Sequence, residues 1–218
     1  MTRVGIVDYG MGNRRSVQKA LEHVGAGVAL SSDPRLLESA DGLVLPGVGA
    51  FPKAMRNLRR LGLAELIMER VSAGTPLLGI CLGMQLLFER SEELGTTEGL
   101  GLIEGEVRWL ATDGLRIPHI GWSEVSFERP SPLTAGLPAR SCPFYHVHSL
   151  AAWPRNEGHV VGSAEYGEWF ATIVERDRIF GVQFHPEKSS RHGLGMLRNF
   201  VQLCAQCSRA TRPVVAGA

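Results

Sequence analysis

At 218 residues the chain has the length of one domain, enough to bury a core without disulfide staples. Hydrophobic residues make up 44% and charged residues 21%, and a formal charge of +1 excludes an electrostatic case for nucleic-acid or anionic-membrane binding. No apolar run approaches the roughly 20 residues of a membrane span. No charged segment leads into an apolar one as a secretory signal would, and four cysteines (Cys81, Cys142, Cys204, Cys207) do not make a disulfide scaffold. A reducing, cytoplasmic setting is expected.

Val4-Gly5-Ile6-Val7 predicts a first buried strand, followed by a turn at Gly10, Gly12 and Asn13. Val17, Ala20, Leu21 and Val24 then form one apolar helix face, stopped by Gly25. Val28-Ala29-Leu30 and Leu43-Val44-Leu45 are two more strands, the second ending in Pro46-Gly47-Val48-Gly49. Leu58, Leu61, Leu66, Ile67 and Val71 supply a helical region, broken near Gly62 and closed by Gly74. After the breaker pair Thr75-Pro76, Leu77, Leu78 and Ile80 make a short strand into Cys81, and Met84, Leu87 and Phe88 read as the apolar set of a following helix.

Past Glu89 the texture changes. Glycines at 95, 99, 101, 105 and 114 punctuate shorter runs at 107–109, 125–127, 160–161 and 171–174, which suggests antiparallel strands and loops. A strand over Arg178–Phe184 delivers His185-Pro186-Glu187, and a last helix carries Leu194, Leu197, Val201 and Cys204 on one stripe. The expected fold class is α/β, an open and mostly parallel sheet with flanking helices plus a smaller antiparallel β extension. Residues 1–207 read as one domain and 208–218, without periodicity, as a disordered tail.

Cys81 between Gly79 and Gly83 at a strand-to-helix junction has the pattern of a nucleophile elbow. A helix starting there would aim amides and partial positive charge at the sulfur, favouring the reactive thiolate. Of seven histidines, His185 is the candidate base, because Glu187 two residues on would share its side of an extended segment and orient the ring. His23, His159 and His192 read as solvated or loop residues. Gly47, Val48 and Gly49 can serve either as a plain strand-ending turn or as backbone donors to an oxyanion, joined by the amide of Leu82. Gly10-Met11-Gly12 starts like a dinucleotide fingerprint but has Arg15 at the third glycine position, and Cys204-Ala205-Gln206-Cys207 lacks the further ligands zinc needs. No metal site and no cofactor is expected.

Gly79-Ile80-Cys81-Leu82-Gly83-Met84-Gln85, Pro46-Gly47-Val48-Gly49 and His185-Pro186-Glu187 together resemble the triad-type glutamine amidotransferases, whose fold is flavodoxin-like. Asp8-Tyr9-Gly10-Met11-Gly12-Asn13, Arg15-Ser16-Val17, Pro118-His119-Ile120-Gly121-Trp122, Val147-His148-Ser149 and Lys188-Ser189 are similar to the glutaminase subunits of imidazole glycerol phosphate synthases, in histidine biosynthesis. The resemblance spans residues 2 to about 203.

The resemblance implies that Cys81 attacks the side-chain amide of L-glutamine and that His185, oriented by Glu187, is acid and base. It implies that Gly47, Val48, Gly49 and Leu82 hold the oxyanion, and that Gln85, His148 and Ser149 hold substrate. It further implies a heterodimer with a (β/α)₈ cyclase subunit that receives the ammonia, through a face including Asn13, His119, Gly121, Trp122 and Lys188. For Trp122 the competing expectation is burial in the core. An isolated subunit would hydrolyse glutamine poorly. Arg14, Ser123 and Leu150 stand where the family usually has Leu, Asn and Tyr, which leaves open a paralogue feeding a different synthase, for example in sugar amidination. A non-catalytic interaction subunit would lack a triad member, and all three are present.

Overall fold

The structure is a computed structural model that describes residues 1–211. The first half alternates strand and helix: β1 (Arg3–Val7), α1 (Arg14–His23), β2 (Gly27–Ser31), α2 (Pro34–Glu38), β3 (Gly42–Gly47), α3 (Phe51–Arg60), α4 (Leu63–Ser72) and β4 (Leu77–Cys81). Gly62, at φ +67°, separates α3 from α4, a left-handed link that a residue without Cβ adopts readily. After the one-turn helix α5 (Leu82–Gln85) come β5 (Phe88–Ser91), β6 (Thr97–Glu98), β7 (Ile103–Trp109), β8 (His119–Phe127), β9 (Ser141–His148) and β10 (Leu150–Pro154). The described residues end with β11 (Val160–Tyr166), β12 (Glu168–Arg176), β13 (Ile179–Val182) and α6 (Ser190–Thr211).

The thirteen strands among the described residues belong to one sheet. Its parallel part runs β2-β1-β3-β4-β13, the doubly wound order in which ligands gather at the carboxyl ends of the strands. Antiparallel pairing begins at β12 and continues through β10 to β7, while β11, β8 and β9 branch off β12. Two cores flank the sheet. Leu43 and Leu45 of β3 pack with α3 and α4, whereas Val44 packs with Val17 and Leu21 of α1 and with Leu197 and Phe200 of α6. Alternate residues of one strand thus enter opposite cores, which is why these strands read as continuous apolar runs.

Three expectations are corrected. Phe88 lies in β5, because the helix after Cys81 ends after one turn. The carbonyls of Leu86, Leu87 and Phe88 accept from the amides of Leu100, Leu102 and Gly101. A return segment therefore takes the bonds a longer helix would have used, and burial all round 81–88 masks the period that would separate helix from strand. Glu187 lies on a 3₁₀ turn over Pro186–Lys188, because β13 ends at Val182. Helix α6 runs to Thr211, so residues 208–211 are helical; extending an existing helix adds one hydrogen bond per residue without a buried stripe. The rest of the expected tail, 212–218, lies outside the described residues.

Candidate active site

Cys81 ends β4 at φ +55° and ψ −113°, a conformation that costs a non-glycine residue roughly 1–3 kcal/mol. Its neighbours enforce the bend. A Cβ on Gly83 would sit 1.7 Å from the Leu45 carbonyl oxygen, and one on Gly79 would sit 2.6 Å from that of Gly83, so the elbow packs backbone against backbone. The sulfur lies 3.8 Å from the Val147 carbonyl oxygen and 3.8 Å from Gln183 Nε2. It borders a cavity of about 460 Å³ that His185 also lines.

His185 is fixed on both sides of its peptide. Its amide donates to the Tyr145 carbonyl at 2.9 Å, and the Ser189 hydroxyl donates to its carbonyl at 2.7 Å. The ring lies between sulfur and carboxylate: Nδ1 stands 3.0 Å from Glu187 Oε1, and Cys81 is near enough to act on the ring's proton affinity. Burial pushes the imidazole down, but the bonds to Cys81 and Glu187 outweigh it and carry the pKa to about 10. The Glu187 carboxylate is 1% exposed; Oε1 also accepts from Asn13 Nδ2 at 3.2 Å, while Oε2 has no protein partner among the described residues. A thiol, an imidazole and a buried acid in this sequence are groups that can serve acyl transfer as nucleophile, base and orienting group.

The other expected site residues divide between the cavity and its surroundings. Gly47 pairs with Cys81 in the β3–β4 register, and Val48, Gly49 and Leu82 line the cavity beside the sulfur. Gln85 is buried at its floor and donates through Nε2 to the Leu150 carbonyl at 3.0 Å and to Gln183 Oε1 at 3.1 Å. His148 and Ser149 line the opposite wall.

Asn13, expected on a partner face, is bonded to Glu187, so its amide is committed to the site. His119 is a correction: it is 3% exposed and faces inward, because successive residues of β8 alternate, leaving Ile120 and Trp122 outward. Trp122 is 54% exposed, so the competing expectation of a core tryptophan fails. Gly121 is half-buried at φ +154°, and Lys188 is exposed at the cavity rim. Arg14 pairs with Asp8.

Sequence reasoning missed Glu93, Trp109 and Gln183. Glu93 is the only carboxylate among the described residues that lines the cavity, and its Oε2 accepts the Phe51 amide at 2.6 Å. It follows Ser91 and Glu92 in a polar stretch where nothing distinguishes one acid from another. Trp109 stands on the rim, and Gln183 couples Gln85 to the sulfur from the end of β13.

The family model for class-I glutamine amidotransferases matches residues 5–203. A Moorella thermoacetica protein named imidazole glycerol phosphate synthase subunit HisH is 50% identical over 210 residues, covering 96% of this chain and 99% of the relative. The chain belongs to the HisH family of class-I glutamine amidotransferases. The HisH subunit of Aquifex aeolicus is 49% identical over 91% of this chain and 95% of its own length. Among solved structures, PurLQS of Thermotoga maritima shares the fold, with a TM-score of 0.75 at 20% identity over 93% of this chain and 98% of that one. No helix among the described residues is long and apolar enough to cross a membrane.

Proposed function

We propose that this chain hydrolyses L-glutamine and delivers the ammonia to a (β/α)₈ cyclase subunit, which makes imidazole glycerol phosphate in histidine biosynthesis. The observation that carries the reading is that Cys81 and His185 line one cavity, with Glu187 bonded behind the imidazole at 3.0 Å. Beside an imidazolium a cysteine sulfur is a competent nucleophile. Cys81 Sγ bonds to the amide carbon of glutamine, and the carbonyl π pair moves to oxygen. The amides of Leu82 and of the Val48–Gly49 segment stabilise that oxyanion. As the intermediate collapses, His185 donates its proton to the departing nitrogen and ammonia leaves. Water then attacks the thioester, His185 takes its proton, and glutamate is released with the sulfur restored.

Charge supports the choice of substrate. The Glu93 carboxylate can pair with the α-ammonium of glutamine, and Gln85 with the His148–Ser149 backbone supplies polar contacts along the wall. Exposed Ile120 and Trp122 with rim residue Lys188 supply an apolar, partly cationic face for the cyclase, to which Gly121 and Asn13 are also assigned. The oxyanion segment waits for the loaded partner, so the isolated chain turns over glutamine slowly.

The test is reconstitution with the cyclase. Cys81→Ala should abolish synthesis from glutamine and leave synthesis from ammonium salt intact; loss of both would assign Cys81 a structural role. An acceptor other than the histidine-pathway phosphoribulosyl precursor stimulating glutaminase would shift the reading to a paralogous synthase. Turnover by the lone chain equal to that of the complex would remove the gating.

A further inference from the structure

Three histidines outside the Cys81–His185–Glu187 bridge pack together beneath the cavity wall: His119, His146 and His148, with ring centroids 5.2–5.5 Å apart. We propose that His119 is a positioning residue for the glutamine cavity, acting by holding the ring of His148 in place and, through it, the Val147–Leu150 wall. This rests on the glutaminase reading and names a residue through which that site would be held in shape.

The direction of the chain follows from a single acceptor. The Leu150 carbonyl oxygen can only accept, and it lies 2.9 Å from His148 Nδ1, so that nitrogen carries the proton. Burial pushes all three imidazoles down, so each is neutral near pH 7 and has one donor and one acceptor nitrogen. His148 Nε2 is therefore an acceptor, and His119 Nδ1, 3.4 Å away, is its donor. His119 Nε2 is then bare and accepts the hydroxyl of Ser123 at 2.9 Å. The order Ser123 to His119 to His148 to Leu150 runs one way only.

Its end point is part of the site. The same Leu150 carbonyl accepts from Gln85 Nε2, which also bonds Gln183, whose amide reaches the Cys81 sulfur. The His119 ring cannot turn away, because it is stacked between His146 and Tyr166, the latter at 4.0 Å. Without the His119 N–H, His148 Nε2 would be buried without a donor. Held by Leu150 alone, the ring would tilt toward another donor for Nε2, stretching its bond to the Leu150 carbonyl and loosening the Val147–Leu150 wall.

Two substitutions separate hydrogen bonding from packing. His119→Phe keeps a stacked ring and loses the N–H; His119→Asn loses the ring and keeps an amide donor where Nδ1 stands. In the reconstituted synthase, His119→Phe should raise the KM for glutamine roughly tenfold with kcat changed less than about threefold, and His119→Asn should recover most of the loss. The reverse order, Phe normal and Asn impaired, would make His119 a packing residue and overturn the proposal. The second readout needs no activity: imidazole ¹H–¹⁵N spectra of the chain should show His148 protonated on Nδ1, and His119→Phe should shift its bare Nε2 resonance as the hydrogen bond there is lost. Ser123→Ala, at a half-buried position that does not threaten the core, should loosen the Nδ1 proton of His119 in the same spectra. A His148 signal unchanged in His119→Phe sinks the idea. If the wild-type synthase used no glutamine, the glutaminase reading would fail while the spectra still decided the chain.

Discussion

Replacing Glu187 with Gln isolates the contribution of a buried charge. In the native site Oε1 accepts N–H groups from His185 at 3.0 Å and Asn13 at 3.2 Å, while Oε2 has no protein partner among the described residues. A Gln carbonyl can keep both bonds with its NH₂ in the unpartnered position, so the geometry survives and the charge does not. A hydrogen bond to a charged group contributes about 1.5–3 kcal/mol and a neutral one about 0.5–1.5, so the loss is on the order of 1–1.5 kcal/mol. At 1.36 kcal/mol per pKa unit this amounts to about one unit. The pKa of His185, about 10 because its bonds to Cys81 and Glu187 outweigh burial, should therefore fall by about a unit. The assay is an NMR titration of the His185 ring alongside the pH profile of kcat/KM, whose alkaline limb should move to lower pH. The sign for stability is also fixed: with the folded pKa raised from 6.5, stabilisation is complete below 6.5 and lost as pH rises toward 10. Glu187→Gln should shrink that alkaline loss. A His185 titration unmoved by the substitution would refute the reasoning.

Gly83→Ala drives a Cβ to 1.7 Å from the Leu45 carbonyl, a backbone atom that cannot swing away, and should destabilise the fold by about 3 kcal/mol or more in urea denaturation. Gly136→Ala, where φ is +75° but nothing lies within 4 Å, serves as the control, with a loss of about 1 kcal/mol; equal losses would mean the elbow does not pack as described. Glu93→Gln should raise the glutamine KM about tenfold or more with little change in kcat, because it removes charge from the cavity and leaves its shape; a fall in kcat alone would argue against an ammonium contact. The depressed imidazoles make the protein acid-sensitive: His148, driven to about 3 by burial, stays neutral in the fold while the unfolded chain takes up a proton below 6.5. Its contribution is present above 6.5 and lost as pH falls toward 3, at up to about 1.4 kcal/mol per unit, with His146 adding in the same direction. A urea midpoint that does not fall between pH 6.5 and 5 would contradict buried, neutral rings.

The residues legible in advance were those whose chemistry is carried by local spacing. Gly79, Cys81 and Gly83 form a turn within five residues, and His185 and Glu187 are close enough in the chain to meet on an extended segment or on the 3₁₀ turn that forms. The strand–helix alternation through residue 81 was legible for the same reason, except α2, whose five residues are too short to show a period. Other features depended on partners distant in sequence. Asn13 finds Glu187 across 174 positions, and Glu93 reaches the cavity only because its segment returns past α3.

The amino-acid order alone was enough to define which atoms could act as nucleophile, base and orienting acid, and to specify a sheet whose strands are buried on both faces. It could not say that the elbow helix would stop after one turn, because Leu86, Leu87 and Phe88 exchange helical bonds for bonds to residues 100–102. Nor could it say that His119 would turn inward and Trp122 outward, since β8 takes its register from β9. A backbone group bonds to whichever acceptor folding brings within 3 Å, and a strand side chain faces whichever side its neighbours leave open; both are long-range outcomes that no local window contains.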